Sequence, residues 1–355
     1  MENTEILSTE KINNTTVAQP QKHARQSNFE LLRIFSMLLI ISHHFVFHGI
    51  DLATTFTYEA NLYITRALAI GGKLGVNIFV LISGYFLITS KFSFKKLLTL
   101  ICQVIFYRLG TYLILLACGA VPFTFSELFH SITPILSNRY WFIPCYVIMY
   151  ILSPYLNSML KNITKKSHLI LIIFLVVLQG ITPKIFTFNF FSNVGWFLTL
   201  YIIAAYIRLY PNKFLNNNKI IIPIALCSLL FITLMFTFAN IILWDQSELI
   251  CVICAVSIIC WYKNINIKNS KIINILSSTT FGIYLFHDNT LLYNIIWEQI
   301  LHCKFHAQLP TYVLFAIVAI LTVFVMGAAI DLIRQLIFKG IKKLNSKLKV
   351  KKEQT

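Results

Sequence analysis

Residues 29–49 read FELLRIFSMLLIISHHFVFHG, an apolar run long enough to cross the hydrocarbon core of a bilayer as one helix. Similar runs recur along the chain, separated by short connections that carry lysines. Of the 355 residues, 57% are hydrophobic and only 12% are charged, whereas an ordinary soluble domain is about a quarter charged. A soluble protein of this composition would lack the polar surface to cover itself. The sequence therefore predicts an all-α, polytopic membrane protein.

We predict about ten membrane-spanning helices, with both termini in the cytoplasm. The predicted spans are Phe29–Gly49, Gly72–Thr89, Leu97–Ala120, Tyr140–Leu160, His168–Ile181, Val194–Tyr210, Ile220–Ile241, Leu249–Tyr262, Leu276–Trp297 and Tyr312–Phe338. Residues 1–27 are predicted to be a disordered cytoplasmic tail, residues 28–340 a membrane domain, and residues 341–355 a basic cytoplasmic tail. No signal peptide is expected, because the first apolar run follows a polar tail and lacks a small-residue cleavage site.

The distribution of charge supports this topology and argues against nucleic-acid binding. The net charge is +17, but the basic residues cluster in the C-terminal tail and after the second, fourth, sixth and eighth spans. Those four connections contain no acidic residue, whereas the opposite connections hold Asp51, Glu59, Glu127, Asp245 and Glu298. Positively charged loops stay in the cytoplasm and face anionic lipid headgroups. We therefore expect a multi-pass protein of the cell membrane.

The first span carries ionisable residues that are costly in a bilayer, namely Glu30, Arg33, His43, His44 and His48. Arg33 and His44 are eleven residues apart, which places them on one helix face about 16 Å from each other. Arg33 could instead reach the headgroups and pair with Glu30, and His44 could be a structural histidine bonded to a neighbouring helix. His44 and His48 have metal-ligand spacing, but we expect no metal site because no clustered Asp, Glu or Cys completes it.

Other polar residues lie deep in later spans. Arg108 falls inside the third span, and His287 and Asp288 fall in the middle of the ninth. By depth, these residues could meet His44 in one cavity. Asp288 is expected either to orient His287 by a hydrogen bond or to neutralise Arg108.

The second span opens with residues 71–77, GGKLGVN. This segment is not a phosphate-binding loop, since it lacks the G-K-[ST] ending and the preceding strand. Small residues here could simply allow close helix packing. The alternative is that Lys73, Asn77 or Ser83 lines a ligand site.

Four segments resemble, in order, the motifs of the membrane acyltransferase-3 family. Arg33 and His44 match its R-x10-H signature, and residues 71–86, GGKLGVNIFVLISGYF, resemble its second helix. Residues 139–146, RYWFIPCY, followed by Leu152-Ser153-Pro154, resemble its fourth span, and residues 280–287, TFGIYLFH, resemble a later helix. The similarity covers roughly residues 28–340, and the family's usual Phe-Phe is Ile78-Phe79 here.

The resemblance implies an enzyme of roughly ten helices that takes an acyl group, usually acetyl, from cytoplasmic acyl-CoA. The acceptor is typically a sugar hydroxyl at the other face of the membrane. By motif match, His44 would be the catalytic histidine and Arg33 would help to bind the CoA-side group. The candidate substrate-binding residues are Glu30, Lys73, Asn77, Arg108, Arg139, Trp141, His287 and Asp288. Acetyl-CoA would be a donor substrate and not a bound cofactor.

The predicted function is therefore O-acetylation of a surface or capsular polysaccharide, or of its lipid-linked precursor. Expected partners are acetyl-CoA, the sugar acceptor and membrane lipids, with a second copy of the chain or an envelope-assembly protein as further candidates. A secondary transporter or flippase for a polysaccharide precursor is the alternative. It explains buried charges equally well, but it predicts internal repeats and broken helices, and neither is visible in the sequence. A non-catalytic assembly subunit is a third hypothesis.

Overall fold

The computed structural model describes residues 26–353 apart from 138, 187–190 and 244, with side chains up to residue 343. The described residues form helices and loops and include no β-strand. The helices are α1 (Ser27–His44), α2 (Glu59–Ala69), α3 (Gly71–Leu87), α4 (Phe94–Ala117), α5 (Phe125–Ile132), α6 (Phe142–Asn162), α7 (Lys165–Val176), α8 (Thr182–Ile185), α9 (Asn193–Leu209), α10 (Asn218–Ala239), α11 (Leu249–Lys263), α12 (Lys271–His287), α13 (Cys303–His306) and α14 (Tyr312–Glu353). Three π-helical segments cover Phe45–Ile50, Val177–Ile181 and Ile295–Ile300.

The structure describes little of the predicted N-terminal tail, but it describes the backbone of most of the predicted C-terminal tail. The tail predicted over residues 1–27 falls outside the described residues except for Gln26 and Ser27, where α1 begins. At the other end, the backbone of α14 continues as one helix through the predicted basic tail to Glu353.

Within the part of the chain that the structure describes, seven helical stretches are long and apolar enough to cross a membrane. They are Ser27–Ile50, Glu59–Leu87, Phe94–Ala117, Phe142–Asn162, Lys165–Ile185, Asn218–Ala239 and Tyr312–Lys343. α9 and α11 are shorter apolar helices, and α12 covers most of the ninth predicted span. Each of the ten predicted spans thus overlaps a helix, and the all-helical membrane architecture is confirmed. The exact number of crossings and the side of each terminus stay predictions.

The outer surface of the helical assembly is apolar, as expected of a surface that faces lipid. Large apolar side chains are exposed on several outer helices, including Ile114 on α4, Phe174 on α7, Leu230 on α10 and Leu314 on α14. In water, so many exposed apolar groups would drive aggregation, whereas lipid tails solvate them at no cost. The chain is therefore a membrane protein.

The ninth predicted span differs most from the structure. The apolar pattern predicts one helix over Leu276–Trp297, but α12 ends at His287 and the helical backbone resumes only at Tyr293. Asp288 has a non-helical backbone, with φ −96° and ψ 18°. Hydropathy could not reveal this break, because apolar residues continue on both sides of it. The break places Asp288 at the end of a helix inside the protein.

α1 is the central helix of the assembly, and it packs against α2, α3, α11, α12 and α14. Its closest approach is to the glycine-rich start of α3. A Cβ atom added to Gly75 would lie 2.6 Å from the carbonyl oxygen of Ser36 and 2.9 Å from a side-chain carbon of Ile40. The packing interpretation of residues 71–77 is thus correct for this glycine, and it explains how the backbones of α1 and α3 come together.

Replacing Gly75 by alanine is expected to destabilise the protein. The new methyl group would force the α1 backbone away from α3, and overpacking of this kind costs about 1–3 kcal/mol. Thermal unfolding in detergent should show a melting temperature several degrees below that of the wild type. Gly110→Ala on α4 is the matched control, because nothing lies within 4 Å of a Cβ at that position. Equal melting temperatures for the two variants would contradict the close approach of α1 and α3.

Candidate active site

A small cavity lies between α1, α3, α6 and α12, inside the assembly. Its walls include His44, Lys73, Phe142 and Tyr284, one residue from each of these helices, and Trp141, which directly precedes α6. The cavity has a volume of about 50 Å³, which is room for several water molecules. Most of the lining is apolar, but His43, His44 and Lys73 bring ionisable groups to it. Ionisable side chains that line a cavity inside a membrane protein mark a candidate functional site.

The hydrogen bonds of two histidines fix their tautomers. Nδ1 of His287 lies 2.6 Å from the carbonyl oxygen of Ile283, and because that oxygen can only accept, Nδ1 of His287 carries the proton. Nε2 of the neutral His287 is then an acceptor, and it lies 2.9 Å from Nδ1 of His44. His44 therefore donates from Nδ1, and its Nε2 keeps a free lone pair. This is the tautomer that a general base needs.

Asp288 faces His44 and His48, not the partners predicted for it. Its Oδ1 atom lies 3.6 Å from Nε2 of His44 and 3.4 Å from Nε2 of His48. The hydroxyl of Tyr293 donates a hydrogen bond of 2.9 Å to the same oxygen. Both predicted roles of Asp288, orienting His287 and neutralising Arg108, are therefore wrong. The carboxylate is instead close enough to His44 to stabilise a proton on its Nε2 atom.

His48 completes this group of side chains, which we call the histidine cluster: His44, His48, His287, Asp288 and Tyr293. The ring of His48 stacks on that of Tyr293 at a centroid distance of 3.7 Å. His44, His48 and Asp288 each present one ligand atom, and these atoms lie within 4.8 Å of one another. This geometry contradicts the expectation that no acidic residue stands near His44 and His48.

A second cavity continues from the first toward the predicted cytoplasmic side. The two cavities share the side chains of Phe79, Phe142 and Phe281. The second offers about 270 Å³ and extends to Lys96, in the first turn of α4. A row of three phenyl rings therefore separates the space beside His44 from an opening at a basic helix end.

Arg33 lies on the face of α1 that leads to His44. Met37 and Ile40, which occupy the turns between them, both line the first cavity. The Arg33 guanidinium itself pairs with Glu30 at 3.5 Å and lies 5.9 Å from the centre of the Phe86 ring. The predicted pairing with Glu30 is thus confirmed. The carboxylate of Glu30 also accepts a hydrogen bond from Ser277 of α12.

Lys73 and Asn77 lie one turn apart on α3 but have different surroundings. The ammonium of Lys73 lies 4.3 Å from the centre of the Trp141 ring, and both residues line the first cavity. Asn77 is fully buried, donates to the Gln246 carbonyl oxygen at 2.9 Å and accepts from the Trp196 indole at 3.1 Å. The structure therefore places Lys73 in the site and gives Asn77 a structural role between helices.

The predicted arginines form a separate cluster beyond the end of α12. Arg108 is 1% exposed and pairs with Glu127 of α5, which also accepts from Arg139 at 3.2 Å. Arg108 further donates to Asn289 at 2.7 Å. Because Asn289 directly follows Asp288, this arginine cluster and the histidine cluster meet at the break after α12.

Loss of Glu127 is expected to lower stability, because it would leave the buried Arg108 without its counter-ion. Breaking a buried pair from one side costs about 3–5 kcal/mol. Glu127→Gln should therefore lower the melting temperature strongly. Replacing both partners, as in Arg108→Met with Glu127→Gln, should restore part of the loss, and a double-mutant cycle measures it. Additive effects of the two changes would show that the pair is not coupled.

Several site residues were not predicted from the sequence. Glu127 contacts Arg108 from a connection between predicted spans. Tyr293 contacts Asp288 from within the ninth predicted span, where nothing in the sequence marks it as a partner. The three phenylalanines between the cavities look like ordinary residues of apolar spans. Tyr284 does belong to the TFGIYLFH motif, and its i, i+3 spacing from His287 could have indicated that it shares the face of α12 that His287 occupies.

The family model described as an acyltransferase domain, of the acyltransferase-3 type, matches residues 26–330, which is most of the chain. No curated protein and no solved structure matches it. The matched region contains α1, α3 and α12, and with them the histidine cluster and both cavities. The chain therefore belongs to the acyltransferase-3 family and is a membrane acyltransferase.

Proposed function

We propose that the protein is an O-acetyltransferase of the cell membrane. It takes acetyl from cytoplasmic acetyl-CoA and transfers it to a hydroxyl of a surface or capsular polysaccharide, or of the lipid-linked precursor of one. The observation that carries this proposal is the free Nε2 lone pair of His44, which is fixed by His287 beside a cavity that adjoins a second one toward the cytoplasm.

In the proposed reaction, His44 acts as the general base. A sugar hydroxyl attacks the thioester carbonyl, its oxygen forms the new C–O bond, and its proton moves to Nε2 of His44. The C–S bond then breaks, and the leaving CoA thiolate takes the proton back from the imidazolium. A positioned base contributes about 10²–10⁴-fold to such a step. The carboxylate of Asp288, 3.6 Å from Nε2 of His44, stabilises the imidazolium between the two transfers.

Negative charge develops on the thioester oxygen as the hydroxyl attacks. Lys73 lines the same cavity as His44 and is the cation best placed to stabilise this oxyanion. The Trp141 ring, 4.3 Å from the Lys73 ammonium, holds that cation in the cavity. Tyr284 supplies a hydroxyl from the opposite wall.

The donor is proposed to enter through the second cavity. CoA carries several phosphate charges, which suits the basic loops predicted to face the cytoplasm. Lys96 stands at the outer end of the cavity, and the phenyl rings of Phe79, Phe142 and Phe281 form an apolar passage for the uncharged arm of the thioester. Arg33, on the same face of α1 as His44, binds the donor on the CoA side.

The acceptor is proposed to approach from the arginine cluster. Arg108, Arg139 and Glu127 offer charged donors and acceptors for sugar hydroxyl groups where that cluster meets the histidine cluster. Trp141 offers a flat ring against which a sugar can stack. Membrane lipids surround the protein in this scheme, and a bound cofactor has no part in it.

Filling the donor passage is expected to slow transfer. Leu100→Trp places a large ring in the second cavity, which Leu100 lines. Because even a small misplacement of reactants is costly, acetyl transfer should fall about tenfold or more. Leu98→Trp is the matched control, since Leu98 lies on the same helix but 49% exposed to the outside. Equal activity of Leu100→Trp and Leu98→Trp in a radiolabelled acetyl-CoA assay would exclude this passage.

The proposed function is tested by two measurements with and without the protein. Proteoliposomes should release CoA from acetyl-CoA only when a polysaccharide acceptor is present, and NMR of surface glycans should show O-acetyl signals that disappear when the gene is removed. Glycans with unchanged ester signals, together with no acetyl-CoA consumption, would contradict the proposal.

A transporter or flippase is the second candidate, and the structure offers one observation in its favour. α12 ends at His287 in the middle of a predicted span, and transporter sites are often built at such helix breaks. The same proteoliposomes decide between the candidates. Movement of a sugar precursor across the bilayer without acetyl-CoA consumption would favour transport.

A further inference from the structure

The histidine cluster brings three ligand atoms together near the end of the first predicted span, on the side predicted to be external. Oδ1 of Asp288 lies 3.6 Å from Nε2 of His44 and 3.4 Å from Nε2 of His48, and all three atoms lie within 4.8 Å of one another. Metal–ligand bonds of about 2.1 Å in a tetrahedron place neighbouring ligand atoms about 3.4 Å apart. The two shorter separations fit that value closely.

The hydrogen bonds of the cluster supply few N–H or O–H donors to these three ligand atoms. Nε2 of His44 has a lone pair, because its Nδ1 donates to His287. Nε2 of His48 is buried, lies 3.4 Å from Oδ1 of Asp288 and makes no well-aligned hydrogen bond with the described residues. In the tautomer with its proton on Nδ1, His48 therefore presents a lone pair to the same point. Tyr293 provides one donor, to Oδ1 of Asp288. Lone pairs that converge in a medium of low dielectric repel one another, and a cation between them removes the repulsion.

The donor set indicates which kind of ion fits. Two imidazole nitrogens and one carboxylate oxygen suit Zn²⁺ or another first-row transition-metal ion, whereas Mg²⁺ and Ca²⁺ prefer a shell made mostly of oxygens. His287 contacts the ring nitrogen of His44 that is not a proposed metal ligand. Metal-binding histidines generally donate their second ring N–H to a fixed acceptor, and His44 does so at 2.9 Å.

We propose that His44, His48 and Asp288 form a binding site for one divalent transition-metal ion, and that an ion bound there inhibits acetyl transfer. The inhibition rests on the proposed function, since the ion would occupy the nitrogen of His44 that accepts the acceptor's proton. His48 has an exposed side-chain fraction of 22%, which gives an ion a path into the site. The site would make the enzyme sensitive to transition metals outside the cell.

Binding is tested apart from activity. The purified full-length protein, treated with EDTA and passed through a desalting column, is titrated with Co²⁺ and then with Zn²⁺. The wild type should take up one Co²⁺ per chain with the absorption bands of a four-coordinate ion. His48→Gln and Asp288→Asn should weaken binding at least about tenfold, whereas His302→Asn, which removes an exposed histidine outside the cluster, should not. Equal binding by all four proteins would overturn the site.

X-ray absorption of the Zn²⁺-loaded wild type tests the site without any variant. Its result therefore does not depend on whether the variants fold. The proposal predicts a first shell of imidazole nitrogen and oxygen. Sulfur in that shell would overturn it, because it would assign the ion to the free cysteines of the chain.

Acetyl transfer by the same preparation tests the proposed inhibition. Zn²⁺ should abolish transfer at one equivalent bound, and EDTA should restore it. Transfer that persists with the site filled overturns the inhibition while leaving the site intact. A protein that binds the ion as predicted but never transfers acetyl would contradict the proposed function instead.

Discussion

His44→Ala is expected to lower acetyl transfer by about 10²–10⁴-fold, the contribution of a positioned general base. The variant removes the Nε2 lone pair from the first cavity, while the helices that surround it keep their packing. The loss should appear in the rate at saturating acetyl-CoA, with little change in the concentration needed for half saturation, because His44 acts on the hydroxyl and not on the donor. The measurement is turnover of radiolabelled acetyl-CoA by purified protein with a polysaccharide acceptor.

His302→Asn is the matched control for this experiment. It removes another histidine from the predicted outer side of the protein, and asparagine tolerates the positive φ of 49° at that position. The control should transfer acetyl at the wild-type rate and melt at the wild-type temperature. A His44→Ala protein that turns over as fast as this control would remove His44 from the mechanism.

Substitution of His287 should separate positioning from catalysis. His287 accepts the proton of Nδ1 of His44 at 2.9 Å and thereby fixes the tautomer with a free Nε2. Phenylalanine fills the space but cannot accept that hydrogen bond, so His287→Phe should lose about 10²-fold in turnover. The amide oxygen of glutamine can accept it, and His287→Gln should recover a large part of the loss.

The pH profile distinguishes this role from a merely structural one. With His287→Phe, His44 is no longer held in one tautomer, and the dependence of turnover on pH should change its shape. His287→Gln should keep the wild-type profile. If glutamine and phenylalanine reduce turnover equally and leave the profile unchanged, His287 only fills space beside His44.

Much of the fold could be predicted because membrane helices are encoded locally. Long apolar runs, basic connections and a pair of polar residues eleven positions apart are visible without knowing which helices touch. The common face of Arg33 and His44 follows from helix geometry alone, and the cavity-lining residues Met37 and Ile40 between them fit it. The family assignment likewise rests on short motifs in a fixed order.

The partners within the site could not be predicted, because they depend on which helices meet and where they end. Asp288 contacts His44 and His48 only because α12 breaks at His287, and the apolar sequence hides that break. Glu127 neutralises Arg108 from a short helix in a connection between spans. Asn77 shows the opposite error, since its place in a conspicuous motif suggested a ligand role, whereas its amide bonds to other helices.

The arrangement also explains how a membrane interior can hold so many ionisable groups. Arg108 has Glu127, Arg33 has Glu30, and Arg334 of α14 has Asp331, with N–O distances of 3.5 Å for the second pair and 2.7 Å for the third. Buried charges are tolerated when they are paired and hydrogen-bonded. The histidine cluster differs from these pairs, because in the proposed mechanism its charge changes during the reaction.

The most direct test of the account is a cryo-EM structure with an unreactive acetyl-CoA analogue whose thioester sulfur is replaced by a methylene group. The analogue should enter beside Lys96, pass between the phenyl rings of Phe79, Phe142 and Phe281, and end with its carbonyl in the cavity of His44, one hydroxyl group away from Nε2. An analogue whose carbonyl lies outside that cavity, with the three rings still closed between it and His44, would contradict the proposed mechanism.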